Sequence, residues 1–352
     1  MQHADRGTGS RILGAIQRAW LTRGLLAWAL LPVAGLYALL GAGRKALFRL
    51  GCLAVHSLEV PVVVVGNLMV GGVGKTPTVI AVVALLRRHG YTPAIVSRGY
   101  GRLSVAELEV HADTATSDCG DEPKLLLLRT GAPVMVGRNR VKAARQLLRR
   151  HPEVDVLVSD DGLQHLALGR SAQVIVFDER GAGNGFLLPA GPLRETLSQE
   201  LPARSVVLYN AASQTTHWPG SLAARALAGI VELGAWRRGE TASLAALQSL
   251  RRRRFLAAAG IGRPERFFEM LREQGLQFDT LPLPDHFSFS ELPWPTSAAD
   301  VVVTEKDAVK IEPQRLGATR VWVATLDLRT EPGFDSALLA LLPPARAVSA
   351  AH

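Results

Sequence analysis

Residues 61–77 read PVVVVGNLMVGGVGKTP, and this stretch decides the fold. The β-branched run at 61–66 ends in glycine, which is typical of a strand buried on both faces of a parallel sheet. The glycine-rich segment after it leads into a helix that we expect over 76–90. Strand, glycine loop and helix in this order predict a phosphate-binding loop, because loop N–H groups and the positive helix end both attract an anion.

The residues of the predicted phosphate-binding loop are Gly71, Gly72, Val73, Gly74, Lys75 and Thr76. Lys75 is expected to reach the β- and γ-phosphates of ATP, and the Thr76 hydroxyl is expected to ligate Mg²⁺. Met69 occupies the position at which the usual loop pattern has its first glycine. The loop therefore predicts nucleotide binding with one departure from the strict pattern.

Strands alternate with helices after this loop. Such alternation implies crossover connections and a parallel sheet with helices on both faces. Ligands in these sheets bind beyond the carboxyl ends of the strands. Further strands are predicted at 93–97, 154–158, 173–177 and 205–209, and a helix at 141–150.

The alternation predicts two α/β units. It loosens after residue 210 and resumes at 255 with a second strand and helix series. We therefore expect a P-loop NTPase-like kinase domain over 51–215, a linker over 216–254 and a smaller α/β domain over 255–345. Residues 1–50 are expected to form a membrane-associated helical segment.

Residues 24–41 carry no charged side chain and read GLLAWALLPVAGLYALLG. A spanning helix needs about 20 apolar residues, and Pro32 and Gly35 interrupt this run. We expect a kinked helix or helical hairpin in the membrane interface, with aromatic side chains at headgroup level. The alternative is a helix packed on the core of the protein itself.

The composition describes a globular protein with an anionic partner. Hydrophobic residues make up 48% of the chain, and its net charge is +9. A nucleotide, a nucleic acid or an acidic membrane surface would suit this charge. Aromatic residues are only 6% and are not interleaved with basic ones, so a nucleic-acid partner is not expected. The two cysteines lack the spacing of a zinc site or a disulfide framework.

Two pairs of acidic residues are candidates for catalytic chemistry. Asp160 and Asp161 follow the strand predicted at 154–158, which is the expected source of a Mg²⁺ contact, although a turn or a helix cap would also suit them. Asp121 and Glu122 fall at a predicted helix start. There they would either cap the helix or supply a general base for an attacking hydroxyl.

His286 lies alone in a predicted loop. By itself it is expected to be structural or incidental, and no residue near it in sequence assigns it a role.

Seven motifs in sequential order resemble the tetraacyldisaccharide 4′-kinases of lipid A biosynthesis. They begin at residues 65, 97, 120, 160, 188, 284 and 304, and they read VGNL with GGVGKTP, SRGYG, GDEP, DDGLQH, LPAGPLRE, PDH and TEKDA. The resemblance runs from the apolar amino-terminal segment to about residue 310.

This resemblance implies an activity and a location. The activity is transfer of the γ-phosphoryl group of ATP to the 4′-hydroxyl of a tetraacylated glucosamine disaccharide 1-phosphate, with Mg²⁺ as cofactor. The location is the cytoplasmic face of the inner membrane, as a peripheral or monotopic protein. The implied partners are ATP, this lipid and the membrane surface, while the oligomeric state is not indicated.

The resemblance also implies roles for individual residues. Lys75 and Thr76 would bind phosphate and metal, and Asp121 would be the catalytic base with His286 assisting it. Further metal ligands would be Asp161 and Glu195, and further active-site residues would be Asp160, Gln164 and Arg140.

Two other functions remain open from the sequence. One is a non-kinase P-loop ATPase that positions partners on membranes, although its signature lysine would fall at Val70. The other is a membrane-bound scaffold with a vestigial loop.

Overall fold

The computed structural model describes residues 20–102 and 104–346. Its strands are β1 (Val62–Gly66), β2 (Pro93–Ser97), β3 (Leu108–Val110), β4 (Val134–Val136), β5 (Val156–Asp160), β6 (Ala172–Asp178), β7 (Ser205–Asn210), β8 (Ser221–Glu232), β9 (Leu256–Ala259), β10 (Asp279–Pro282), β11 (Asp300–Thr304) and β12 (Arg320–Thr330).

Eleven α-helices lie in the same described ranges. They are α1 (Leu25–Ala29), α2 (Leu31–Arg49), α3 (Lys75–Arg88), α4 (Thr116–Cys119), α5 (Asp121–Thr130), α6 (Arg140–Arg150), α7 (Leu233–Arg237), α8 (Leu244–Ser249), α9 (Pro264–Glu273), α10 (Glu305–Ala308) and α11 (Pro332–Leu339). Short 3₁₀ turns occur at Leu250–Arg252 and Pro313–Arg315.

The strands form one continuous sheet in the order β10-β9-β11-β12-β8-β7-β6-β1-β5-β2-β4-β3. In the half that contains β1 every pairing is parallel except that of β3 with β4. All five residues of β1 are buried. The parallel α/β fold expected from the sequence is confirmed.

Helices cover both faces of β1, as its unbroken apolar run predicts. Val63 and Val65 belong to the hydrophobic cluster that contains the buried residues of α3. Val62 and Val64 belong to the cluster on the other face, which contains the buried residues of α6. Helices α3 and α6 therefore pack on opposite faces of β1, the strand that precedes the glycine loop.

Strand β8 joins the two halves of the sheet. Its first residues, Ser221 and Leu222, pair in parallel with β7, whereas its remainder runs antiparallel to β12. The segment expected to be a linker, 216–254, thus contains β8, α7 and α8. The division of the chain into domains stays a prediction.

The amino-terminal helices α1 and α2 lie mostly outside the core. Within them only Ala27 and Ala34 are buried, while the side chains of Leu25 and Leu39 are 91% and 70% exposed. In the described part of the chain, no helix combines the length and the apolar character that crossing a bilayer requires. The predicted segment 1–50 is described only from residue 20 onward.

Candidate active site

A cleft of about 1860 Å³ lies at the carboxyl ends of the strands, and both halves of the sheet contribute to it. The glycine loop, Asp160, Asp161 and Gln164 line it from one half. His286 and Lys306 line it from the other half. The cleft therefore gathers predicted site residues that lie far apart in the sequence.

The glycine loop is held in place by hydrogen bonds that its backbone accepts from neighbouring side chains. The carbonyl of Val73 accepts hydrogen bonds from Asn210 Nδ2 at 2.7 Å and from Arg225 Nη2 at 3.2 Å. Gly74 is the N-cap of α3 and has a φ of 92°, a left-handed conformation that favours glycine. A Cβ atom at Gly74 would lie 2.5 Å from Asn210 Nδ2 and would overlap the Arg225 guanidinium.

Replacing Gly74 by alanine is therefore expected to damage the loop. The strained backbone should destabilise the fold by about 1–3 kcal/mol, and the displaced loop should bind ATP weakly. Thermal unfolding and nucleotide titration measure the two effects. Gly72→Ala is the matched control, because a Cβ at Gly72 meets no atom within 4 Å. Equal melting temperatures and nucleotide affinities for the two variants would contradict this account.

The Asp161 carboxylate lies between two cations. Arg194 Nη1 donates to its Oδ1 and Oδ2 at 3.1 and 3.3 Å, and Lys75 Nζ is 3.7 Å from Oδ1. Lys75 Nζ also donates to Asn67 Oδ1 at 3.2 Å. The backbone of Asp161 has a φ of 47°, and His286, another predicted site residue, has a φ of 59°. Positive φ values at such residues are found often at functional sites, where the surrounding structure holds the strain.

Asp160 is the last residue of β5, so this strand ends two positions later than the strand predicted at 154–158. Asp160 Oδ2 accepts from Ser97 Oγ at 3.0 Å, while Oδ1 is buried and has no partner among the described residues. Burial, with the charges of Glu122 and Asp161, raises the pKa of Asp160 to about 6. A buried carboxylate oxygen without a donor fits a site that takes a cation or a bound water.

Arg140, and not Arg138, reaches the acidic pair. Arg140 is buried at the start of α6, and its Nη2 donates to the carbonyls of Asp160 and Asp161 at 3.2 and 2.8 Å. The Asn139 side chain caps the helix by accepting from the backbone N–H of Lys142 at 3.1 Å. This cap is the sequence signal that separates the two arginines, because it makes Arg140 the first residue of the helix.

Gln164 and Glu195 lie beside Asp161 in one hydrogen-bond network. Gln164 Nε2 donates to Glu195 Oε1 at 3.0 Å, and Gln164 Oε1 accepts from Arg194 Nη1 at 3.3 Å. The other Glu195 oxygen pairs with Lys45 on α2. Tyr37, also on α2, donates its hydroxyl to the Arg194 carbonyl at 3.1 Å. The amino-terminal helix therefore contacts the site directly.

We expect Lys45→Met to lower kcat by roughly tenfold while ATP affinity stays near that of the unmodified protein, because Lys45 orients Glu195 from behind. Steady-state kinetics at saturating ATP measures this effect. The control is Lys45→Arg, which keeps the ion pair and should recover most of the rate. The positioning role would be wrong if both variants lost the same activity.

Asp121 begins α5 and faces residues of the other half of the sheet. Its Oδ2 lies 3.5 Å from His286 Nδ1 and 4.0 Å from Lys310 Nζ. The N-cap of α5 is Gly120, so Asp121 is in the first turn and its carboxylate makes no cap hydrogen bond. The structure thus pairs Asp121 with His286, a histidine that the loop sequence alone left without a role.

Glu122 makes a second contact across the cleft. Lys306 Nζ donates to Glu122 Oε1 at 2.8 Å. Burial raises the pKa of Glu122, but Lys306 outweighs it and holds that pKa below its ordinary value. Glu122 is therefore a charged partner of Lys306.

The donor set at Asp161 and Thr76 fits Mg²⁺. This ion is usually held by one or two carboxylates or hydroxyls together with phosphate oxygens and water. Across residues 20–102 and 104–346 no group of three or more His, Cys, Asp or Glu side chains could hold a metal by itself. Thr76 and Asp161 line the cleft beside the glycine loop, whereas Glu195 lies behind Gln164. The metal roles of all three residues stay predictions.

Some contact residues of the site were not assigned from the sequence. They are Lys45, Asn67, Arg225, Lys306 and Lys310. Asn67 had a usable signal, since it follows β1 directly as a polar residue in an apolar run. Lys306 lies in the TEKDA motif at 304–308, but Lys45, Lys310 and Arg225 had no local signal, because only the tertiary fold brings them to their contacts.

A glycine loop between a buried parallel strand and a helix, with a lysine and an acidic pair beside it, defines a P-loop nucleotide-dependent phosphotransferase. The family model for tetraacyldisaccharide-1-P 4′-kinase matches residues 26–343. The chain belongs to this family.

Individual relatives agree with the family assignment. The tetraacyldisaccharide 4′-kinase of Leptothrix cholodnii is 53% identical over 344 residues, which cover 97% of this chain and 99% of that protein. The tetraacyldisaccharide 4′-kinase of Methylibium petroleiphilum is 53% identical over 334 residues, which cover 94% of this chain and 93% of that protein.

A solved structure is similar in fold. It is the crystal structure of "apo" form LpxK from Aquifex aeolicus in complex with ATP, with a TM-score of 0.76 and 26% identity. The match covers 91% of this chain and 100% of that one. The resemblance stated from the motifs is confirmed, and the protein is an ATP-dependent kinase of lipid A biosynthesis.

Proposed function

We propose that this kinase transfers the γ-phosphoryl group of ATP to the 4′-hydroxyl of a tetraacyldisaccharide 1-phosphate. The names of its family and relatives support this acceptor. The observation that carries the proposal is the contact of Asp121 with His286, a residue that lines the same cleft as the glycine loop. A base there would accept the proton that an attacking hydroxyl releases.

The residues of the site would have separate roles in binding ATP, accepting the proton and holding the metal. The glycine loop and Lys75 bind the phosphates and hold the γ-phosphoryl group in line with the acceptor. Asp121 accepts the proton of the attacking hydroxyl on its carboxylate, and His286 orients that carboxylate. Mg²⁺ would be held by Thr76 and Asp161, with Glu195 as the third predicted ligand, and it neutralises charge on the phosphate oxygens when bound.

We propose further that the protein lies on the cytoplasmic face of the inner membrane as a peripheral or monotopic protein. The exposed apolar side chains of α1 and α2 support this location, because apolar side chains beside basic residues suit the membrane interface. Arg44 and Lys45 on α2 reach Gln164 and Glu195. A membrane-bound α2 would therefore place the active site next to a lipid acceptor.

Acceptor-dependent release of ADP tests the proposal against a non-kinase ATPase. The purified protein with ATP in detergent micelles should release ADP when the tetraacyldisaccharide 1-phosphate is added. The matched control is the same lipid with its 4′-hydroxyl methylated, which should support only basal hydrolysis. Equal ADP release with both lipids, or without either, would favour the ATPase.

A further inference from the structure

A second pocket, of about 750 Å³, lies outside the active-site cleft and is lined by cations. It shares no lining residue with the cleft, and no acidic residue of the described chain lines it. The pocket is formed by the start and outer face of α6 and by the loops that precede β1 and β6. Its charged or titratable lining residues are His56, Arg138, Lys142, Arg145, Arg149 and His165.

The positive charge of this pocket is largely uncompensated. Arg138 and Arg149 make no hydrogen bond or ion pair with a described residue, and Arg145 Nη2 meets only the His56 ring, at 3.5 Å from Nδ1. Among these lining residues Lys142 alone has an acidic partner in the described chain, Glu107, at 2.8 Å. A concave site with several free guanidinium groups is suited to a phosphate, which arginine binds through its fork of N–H donors.

His165 lines the pocket, but the arginines that act on its ring lie outside the pocket. Burial and the surrounding arginines, first among them Arg140 and then Arg44, lower the pKa of His165 to about 4. Its Nε2 atom is buried and has no partner among the described residues. His165 thus contributes a neutral ring, and not positive charge, to the pocket.

The pocket adjoins the apolar amino-terminal helices. His56 follows α2 by seven residues, and between them the side chains of Leu50 and Val55 are 76% and 53% exposed. The backbone of His56 is fixed beside the pocket, since its N–H donates to the Ala167 carbonyl at 2.8 Å. Arg44 of α2 donates to the Gln164 carbonyl at 3.0 Å. Exposed apolar side chains thus precede a lining residue of the basic pocket directly in the chain.

We propose that this pocket binds the phosphate of an anionic phospholipid headgroup while the neighbouring apolar side chains contact its acyl chains. The proposal rests on the membrane placement given under the proposed function. A lipid accounts for the combination, because its phosphate and its hydrocarbon chains belong to one molecule. The pocket would hold the enzyme on acidic membrane regions and fix its orientation.

Vesicle co-sedimentation tests the pocket. The full chain is mixed with vesicles of phosphatidylcholine alone, or of phosphatidylcholine and phosphatidylglycerol in equal parts. The unmodified protein should bind the acidic vesicles roughly tenfold or more tightly than the neutral ones. The double variant Arg145→Gln/Arg149→Gln should lose most of this preference and keep its binding to neutral vesicles.

The matched control is Arg252→Gln/Arg254→Gln, which removes the same charge from exposed positions in the other half of the chain. This control should keep the preference for acidic vesicles. If both double variants lost the preference for acidic vesicles equally, the proposed role of the pocket would be wrong, because the attraction would then depend on net charge alone. Equal binding of the unmodified protein to both kinds of vesicle would also overturn it.

Two further measurements distinguish a lipid headgroup from free phosphate and the pocket from the active site. Inorganic phosphate titrated into the purified protein should give no binding that depends on Arg145 and Arg149. Saturable binding at millimolar concentration that Arg145→Gln/Arg149→Gln abolishes would assign the pocket to free phosphate instead. Kinase activity in detergent micelles should be the same for this variant and the unmodified protein. A large loss there would overturn the separation of the pocket from the active site. Absence of acceptor phosphorylation by the unmodified protein would instead contradict the proposed function.

Discussion

Asp121→Asn is expected to lower kcat by about 10²- to 10⁴-fold, because the amide cannot accept the proton of the acceptor hydroxyl. The affinity for ATP should remain near that of the unmodified protein. Asp121 is not among the residues that line the cleft at the glycine loop, and its near neighbours are His286 and Lys310. Single-turnover phosphorylation of the lipid acceptor measures the loss directly.

Asp118→Asn is the matched control, since Asp118 is an exposed acid three residues earlier. It should leave kcat unchanged. The pairing with His286 adds a second requirement: Asp121→Asn/His286→Asn should be little slower than Asp121→Asn alone, because two residues that act as a unit give non-additive losses. Full turnover by folded Asp121→Asn would contradict the assignment of the base.

Lys75→Met is the second change with a large expected effect. It should lower kcat by about 10²- to 10³-fold, because it removes the cation that reaches the transferred phosphoryl group. Methionine keeps the length and most of the volume of lysine, so the melting temperature should change little. Rapid-quench kinetics with saturating ATP separates the chemical step from ATP binding.

Lys75→Arg is the companion variant. It keeps the charge but cannot place a compact ammonium group beside Asn67 and Asp161, so we expect only partial recovery. Unchanged kcat in Lys75→Met, with the protein folded and ATP bound, would contradict the role of the loop.

The sequence predicts the centre of the fold well. The buried run at 61–66 and the glycine loop after it needed only local patterns, and β1 and α3 lie where those patterns indicate. Strand β8 was missed because its residues read SLAARALAGIVE, in which alanine and glycine have low strand propensity and burial does not alternate regularly. Strand β10 was missed because it is exposed and ends in proline.

The candidate site also contains residues that local sequence predicts and contacts that it does not predict. Asp160 and Asp161 at the end of β5 and Lys75 at the end of the glycine loop were found from their local pattern. The contacts of Asp121 with His286 and of Lys45 with Glu195 join residues 165 and 150 positions apart, respectively, and no local pattern reports such contacts. His286 became a site candidate through the family resemblance alone.

The most direct test of the central claim is the position of the label after reaction with [γ-³²P]ATP and tetraacyldisaccharide 1-phosphate. The product is isolated and its phosphate groups are assigned by selective hydrolysis of the 1-phosphate. We predict that all of the label transferred to the lipid lies at the 4′ position and that Asp121→Asn slows its appearance by about 10²- to 10⁴-fold. Label that appears only as free phosphate, or at a position other than 4′, would contradict the account.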